Sequence, residues 1–156
     1  MRRKEKEITE LSEIEAILAR AEILHLAMCD GERPYVLPLN FGYRTGRLYL
    51  HSARAGKKIA ILRANPLVSF AASVDVARLV PSDTSDACKY GMRFKSVVGA
   101  GRATISETLE EIAAGLDVLM SRYGDHNFEY KEEILNKTAL ITIEIESMTG
   151  KRGDVV

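Results

Sequence analysis

Leu48-Tyr49-Leu50-His51-Ser52-Ala53-Arg54-Ala55-Gly56-Lys57-Lys58-Ile59 runs from an alternating apolar segment, through a short polar loop, to a lysine pair that opens a second apolar pattern. The segment up to His51 reads as a strand. Lys57 to Ala64 reads as a short helix, with Gly56 before it and Asn65-Pro66 closing it. A helix start carries N–H groups without partners and the positive end of the peptide dipole. Ser52 adds a hydroxyl, Gly56 permits close approach, and Lys57 and Lys58 add charge, so the parts of a phosphate cradle are present. The dipole contributes only about 0.3–1 kcal/mol, so the lysines carry much of any affinity. The GxxxxGK[ST] spacing of a P-loop is absent. The same residues also describe a solvated lysine pair at a helix start.

Working upstream, Tyr35-Val36-Leu37-Pro38-Leu39-Asn40-Phe41 is extended in character. Pro38 cannot donate to a ladder, so it predicts an edge, a bulge or an interruption. Its neighbours' unpaired main-chain groups, with the Asn40 amide, suit the edge of a planar heterocycle; a plain edge strand bent by proline suits the residues equally. Arg44-Thr45-Gly46 is a hairpin turn leading back into Arg47–His51. Leu24–Met28 alternates weakly and ends at the Asp30-Gly31 turn. Ser12, three residues before Glu15, opens a helix over about 12–21.

Downstream, Leu67–Val74 and Ser96–Ile105 read as strands, and Gly99 and Gly101 in the second predict a bulge or a close backbone approach. Glu107–Tyr123 follows the helical i, i+3, i+4, i+7 rule with Ser106 as its cap. Ala139–Glu146 is a β-branched strand. Residues 75–95 lack periodicity and read as a long loop, a kind of segment that is more often functional than idle. About six strands with three helices predict a mainly β fold, a small β-barrel with peripheral helices. One domain spans 1–156, with flexible tails expected at 1–10 and 147–156.

Composition narrows the function classes. Apolar residues are 46% and charged residues 28%, which excludes collagen-like and disordered chains. Lys+Arg and Asp+Glu are 22 each, so the basic excess of a general nucleic-acid binder is missing. No apolar run approaches the ~20 residues that span a bilayer, and MRRKEKEITELSE lacks the apolar segment of a signal peptide. Cys29 and Cys88 lie outside any CxxC pattern. The expectation is a reduced, cytoplasmic protein with no membrane and no nucleic-acid partner.

Three motifs in order, YVLPLNFGY, LYLHSARAGKKIAILRANPLVSF and FKSVVGAGRA, resemble the FMN-binding split-barrel proteins related to pyridoxamine 5′-phosphate oxidase, and most closely their nitroimidazole-resistance-like branch. The similarity covers about residues 10–146. It implies a six-stranded split β-barrel, FMN as cofactor, and a homodimer with the flavin at the subunit interface. By this resemblance Leu37, Pro38, Leu39, Asn40 and Phe41 line the flavin ring through main-chain groups. His51 and Ser52, with Lys57 and Lys58, hold the phosphate end, and Ser96 and Val97 border the flavin. Phe94 stands where the family often has a hydroxylated ring, so a hydrogen bond from that position is not expected. The vitamin-oxidising members carry an additional C-terminal segment without a counterpart here, so oxidation of pyridoxamine phosphate is not expected.

The resemblance implies a flavin-dependent reductase, with a nicotinamide nucleotide as hydride donor and a small electrophile such as a nitro compound as acceptor. His51 is the side chain to test first as a catalytic group. A flavin store or sensor, and a haem-binding barrel, are the rival readings. His25 reads as a core residue of a strand, and His126 lies in a polar loop. Three histidines and two cysteines show no metal spacing. Ser52 lacks the GxSxG context of a hydrolase. Cys88 reads as an ordinary free thiol. Lys89, Arg93 and Lys95 form a basic run that faces either a phosphate or solvent. Arg152-Gly153-Asp154 reads as a chance tripeptide.

Overall fold

The computed structural model describes residues 3–124 and 127–153, so His126 and Asp154 lie outside the described residues. The elements follow in order: β1 (Glu7–Ile8), α1 (Leu11–Arg20), β2 (Leu24–Asp30), β3 (Arg33–Leu39), β4 (Gly42–Arg44), β5 (Arg47–Ala53), α2 (Lys57–Ala64), β6 (Leu67–Leu79), β7 (Gly91–Ser106), α3 (Leu109–Met120), α4 (Glu132–Leu135) and β8 (Thr138–Gly153). All strand pairs are antiparallel, in the order β3-β2-β6-β7-β8-β5-β4, with β1 added to β8. The order leaves β3 and β4 as free edges, so the barrel is split rather than closed.

Alternation builds the interior. Leu24, Leu26 and Met28 from β2, Leu48 and Leu50 from β5, Phe70 and Ala72 from β6, and Ile141 and Ile143 from β8 are fully enclosed. Each such large side chain contributes about 1.5–3 kcal/mol relative to an exposed position. Helix α1 packs Ile14, Ile17 and Leu18 against β4, β6, β7 and β8. Helix α2 lies against β2 and β7, and α3 lies against β4, β5 and β8. No helix among the described residues is long and apolar enough to cross a membrane.

Gly99 and Gly101 meet their expectation. Register shifts between Ala100 and Gly101, and a Cβ at Gly99 would collide with the Phe70 ring.

Several boundaries differ from the sequence reading. The 75–95 loop is largely strand: β6 and β7 continue as a ribbon as far as the Leu79–Gly91 pair, leaving residues 80–90 as the connection. The expected C-terminal tail is also strand, since β8 pairs with β7 through Gly153. Lys4–Lys6 form a 3₁₀ turn, and Ile8 is buried against Gly150 instead of fraying. Ser106 ends β7 and Thr108 is the cap residue of α3; Ser12 lies inside α1, which begins at Leu11 after Glu10. His25 is exposed rather than in the core, because it takes the outward parity of β2.

Candidate functional site

The strand β5 delivers His51 to the outer face of the sheet and Ser52 to the inner parity with Leu48 and Leu50. The loop after it is pinned by Arg54, whose Nε donates to the Thr138 carbonyl at 3.1 Å and whose guanidinium donates to the Glu107 carbonyl at 3.0 Å. Arg54 positions this loop; in the sequence it was simply one more polar loop residue. Gly56 then adopts φ +119, a region that side-chained residues avoid, and caps α2 without any side-chain acceptor. The first-turn N–H groups of α2 are therefore left available, as at any helix start lacking a cap side chain.

The two lysines part company. The Lys57 ammonium ion-pairs with Asp30 at 3.0 Å and lies 4.8 Å from the centroid of the Tyr35 ring. This ties the α2 start to the β2–β3 hairpin, and a cavity of about 310 Å³ runs beside it along Ala60, Ile61 and Ala64. Lys58 is half-buried and has no carboxylate partner among the described residues. Burial lowers its ammonium below the ordinary lysine value. Partial burial of the imidazole, and then the Lys58 charge, hold His51 below the ordinary histidine value. An under-compensated cation, a neutral imidazole and unpaired N–H groups at one helix start fit an anionic group such as a phosphate.

Tyr35 opens the edge strand that carries Leu37, Pro38 and Leu39. Pro38 stands opposite His25 on the paired side, and its missing donor falls on a strand whose other edge is free. Leu37 and Leu39 lean on the core, Asn40 is half-buried, and Phe41 is fully enclosed under the Arg122 guanidinium, 5.0 Å from its centroid. Only main-chain atoms of Phe41 can face a ligand.

The chain does not bring Ser96 and Val97 to this place. They lie on β7, three strands across the sheet from β3. Ser96 pairs with Ser73 and is half-buried, while the Val97 side chain is wholly in the core. The α2 end of β7 lies near Arg102, which pairs with Leu67. From there back to Ser96 the strand advances about 20 Å.

A second feature escaped the sequence because it exists only in register. Pro38, His25, Ala71, Val98 and Thr149 form one row across five strands. Val36, Ala27, Ser69, Ala100 and Ser147 form the next. Neither row holds an Asp, Glu, Lys or Arg, in a chain that is 28% charged. Val36 and Val98 are 58% and 54% exposed on this face.

The sequence profile of the pyridoxamine 5′-phosphate oxidase family matches residues 10–152. An uncharacterized protein of Rhizobium meliloti (strain 1021) is 35% identical over 57 residues, 36% of this chain. That match spans only 37% of the relative's length. A crystal structure of a putative 5-nitroimidazole antibiotic resistance protein from Bacteroides thetaiotaomicron VPI-5482 is similar at TM-score 0.80 and 30% identity, over 96% of this chain and 90% of the other. A crystal structure of an FAD-binding protein from Mesorhizobium loti is similar at TM-score 0.65 and 25% identity, over 93% and 96%. The FAD- and haem-binding protein of Mycobacterium smegmatis shares the fold at TM-score 0.84 with 15% identity, over 96% of this chain and 74% of the other.

Proposed function

The chain belongs to the pyridoxamine 5′-phosphate oxidase family, and from that premise we propose that it is an FMN-binding reductase working as a homodimer. The observation that carries the reading is the α2 start, where Lys58, His51 and uncapped N–H groups converge beside the free edge of β3. FMN ends in a single phosphate, which is what that cluster suits. The similarity to an FAD-binding protein at 25% identity supports a flavin, and the similarity to a putative nitroimidazole resistance protein supports a nitro compound as acceptor.

When bound, a flavin would supply two-electron chemistry between a nicotinamide nucleotide and the acceptor. The chain's own part is placement. Lys58 and the first-turn N–H groups hold the phosphate end, with Ser52 beside them. Main-chain groups from Leu37 to Phe41 meet the ring edge. His51 stands near enough to Lys58 to feel its charge and, kept neutral, is the side chain placed to hydrogen-bond the acceptor. Ser96 and Val97 lie three strands across the sheet from β3, and on this reading they border the flavin from the second copy. The uncharged rows on the outer sheet face supply the surface on which a second copy would close it.

The test is to denature the purified protein and identify what is released. Expected is FMN by absorbance and mass, with a native spectrum that bleaches on adding NADH or NADPH. Yellow protein that never bleaches would leave a flavin store or sensor. A Soret band, or colourless protein that takes up no FMN, would overturn the flavin reading.

A further inference from the structure

The other end of the barrel holds a second cluster. Where β6 bulges, Asp75 takes φ +56 and the ladder skips from Val74 to Ala77. A cavity of about 480 Å³ opens there, lined by Asp75, Val76, Ala77, Arg93, Phe94, Lys95 and Arg152. It lies well along β7 from Arg102, which pairs with Leu67 just after α2: from Arg102 to Lys95 the strand advances about 23 Å.

The charges around this cavity do not balance. Asp75 is ion-paired with Arg20 from α1. Glu13, also on α1, is shared by two cations: it accepts from Lys95 Nζ at 2.8 Å and from Arg152 at 3.1 Å. Four cations thus face two carboxylates. Arg93 lies near enough to Asp75 to lower its carboxyl, but makes no ion pair or hydrogen bond among the described residues. Arg152 Nε is buried and lacks a hydrogen-bond partner, alone in this among side-chain atoms of the described residues. The unused buried donor of Arg152 calls for an acceptor oxygen, and the exposed Arg93 guanidinium, which has no protein partner among the described residues, lines the same cavity. Phe94 and Val76 give the same cavity an apolar wall.

We propose that this cavity is a phosphoryl-binding site, with Arg93 and Arg152 as its guanidinium donors and Lys95 as its ammonium. A phosphoryl group suits it on three counts. It carries the missing two negative charges at neutral pH, it accepts bidentate contacts from arginine, and its oxygens reach two guanidinium groups at once. The volume is in the range of small-ligand sites, so an organic phosphate fits as well as the free ion. None of its residues belongs to the α2-start cluster, so its test is separate from that of the flavin reading.

The experiment is calorimetric titration of the purified full-length protein with inorganic phosphate, AMP and adenosine, at fixed ionic strength. Saturable binding of phosphate or AMP, and none of adenosine, is expected in the millimolar range or tighter. AMP tighter than phosphate identifies an ester as the ligand; equal affinities identify the free ion. Arg93→Gln should weaken phosphate binding about tenfold while leaving bound flavin and thermal midpoint unchanged. Asp75→Asn, which keeps a residue tolerant of positive φ, should tighten it, a gain that an unfolded variant cannot give. Absence of saturable binding, adenosine binding as well as AMP, or an Arg93→Gln affinity equal to wild type would overturn the site.

Discussion

Lys57 and Asp30 meet at 3.0 Å across the gap between the α2 start and the β2–β3 hairpin. The contact neutralises one of two adjacent lysines before any ligand arrives. Exposed pairs of this kind contribute about 0–1 kcal/mol, so it sets where Lys57 points more than how stable the chain is. Lys58 keeps its charge uncompensated, and burial makes that charge costly. The two neighbours are therefore unequal as phosphate ligands.

Lys58→Ala should weaken FMN binding about tenfold or more, whereas Lys57→Ala should cost less than about threefold. Quenching of flavin fluorescence on titration reads both. Equal losses would mean that Lys57 leaves Asp30 when the ligand binds.

His51 should titrate below its ordinary value of 6.5, because partial burial and then Lys58 disfavour the imidazolium. In Lys58→Ala the midpoint, followed by NMR of the ring protons, should move up. The sign for stability follows from linkage. A base whose folded pKa is depressed binds protons more weakly than in the unfolded chain, so stability falls as pH drops through 6.5 toward the folded value. His51→Asn should flatten that part of the pH dependence of unfolding.

Much of this fold was legible because alternation and punctuation agree. β5 alternates without fault, and Asn65-Pro66 stops α2 at Ala64. What was illegible shares one cause. Between β7 and β8, Ala100 pairs with Ser147 and Gly101 with Ile145, so Glu146 of β8 is an additional residue that flips the parity. The inward residues run Ile141, Ile143, Ile145 and then Met148, which reads as a broken pattern and hid the strand beyond 146. Asp75 and Val76 do the same to β6 and hid the ribbon. The site was half legible for a different reason. His51, Ser52, Lys57 and Lys58 are neighbours in sequence, but Asp30, Tyr35 and Arg54 act across long separations that no local pattern records.

Gly99→Ala tests the close approach of β7 to Phe70 and Ser147. An added Cβ would collide with the Phe70 ring and lie 2.7 Å from the Ser147 carbonyl, so ring and strand must both yield. Overpacking of this kind costs about 1–3 kcal/mol. A lower urea midpoint at unchanged slope is the expected result, since the unfolded chain exposes the same surface. An unchanged midpoint would mean that Phe70 finds another rotamer without loss.

Val98→Asp tests the proposed dimer without touching the flavin-phosphate cluster. Val98 sits in the row from Pro38 to Thr149, more than half exposed and flanked by uncharged side chains on both sides. In a lone copy the aspartate would be solvated and the fold unharmed. Between two copies it would be an unpaired charge taken out of water, which costs about 3–5 kcal/mol, or roughly a hundredfold to a few thousandfold in dissociation constant. Sedimentation velocity should show the variant as a monomer at concentrations where the wild type is dimeric. Flavin content should fall with it, because on the proposed reading Ser96 and Val97 of the second copy complete the cofactor site. A variant that dissociates yet keeps its flavin would put the whole cofactor site within a single chain.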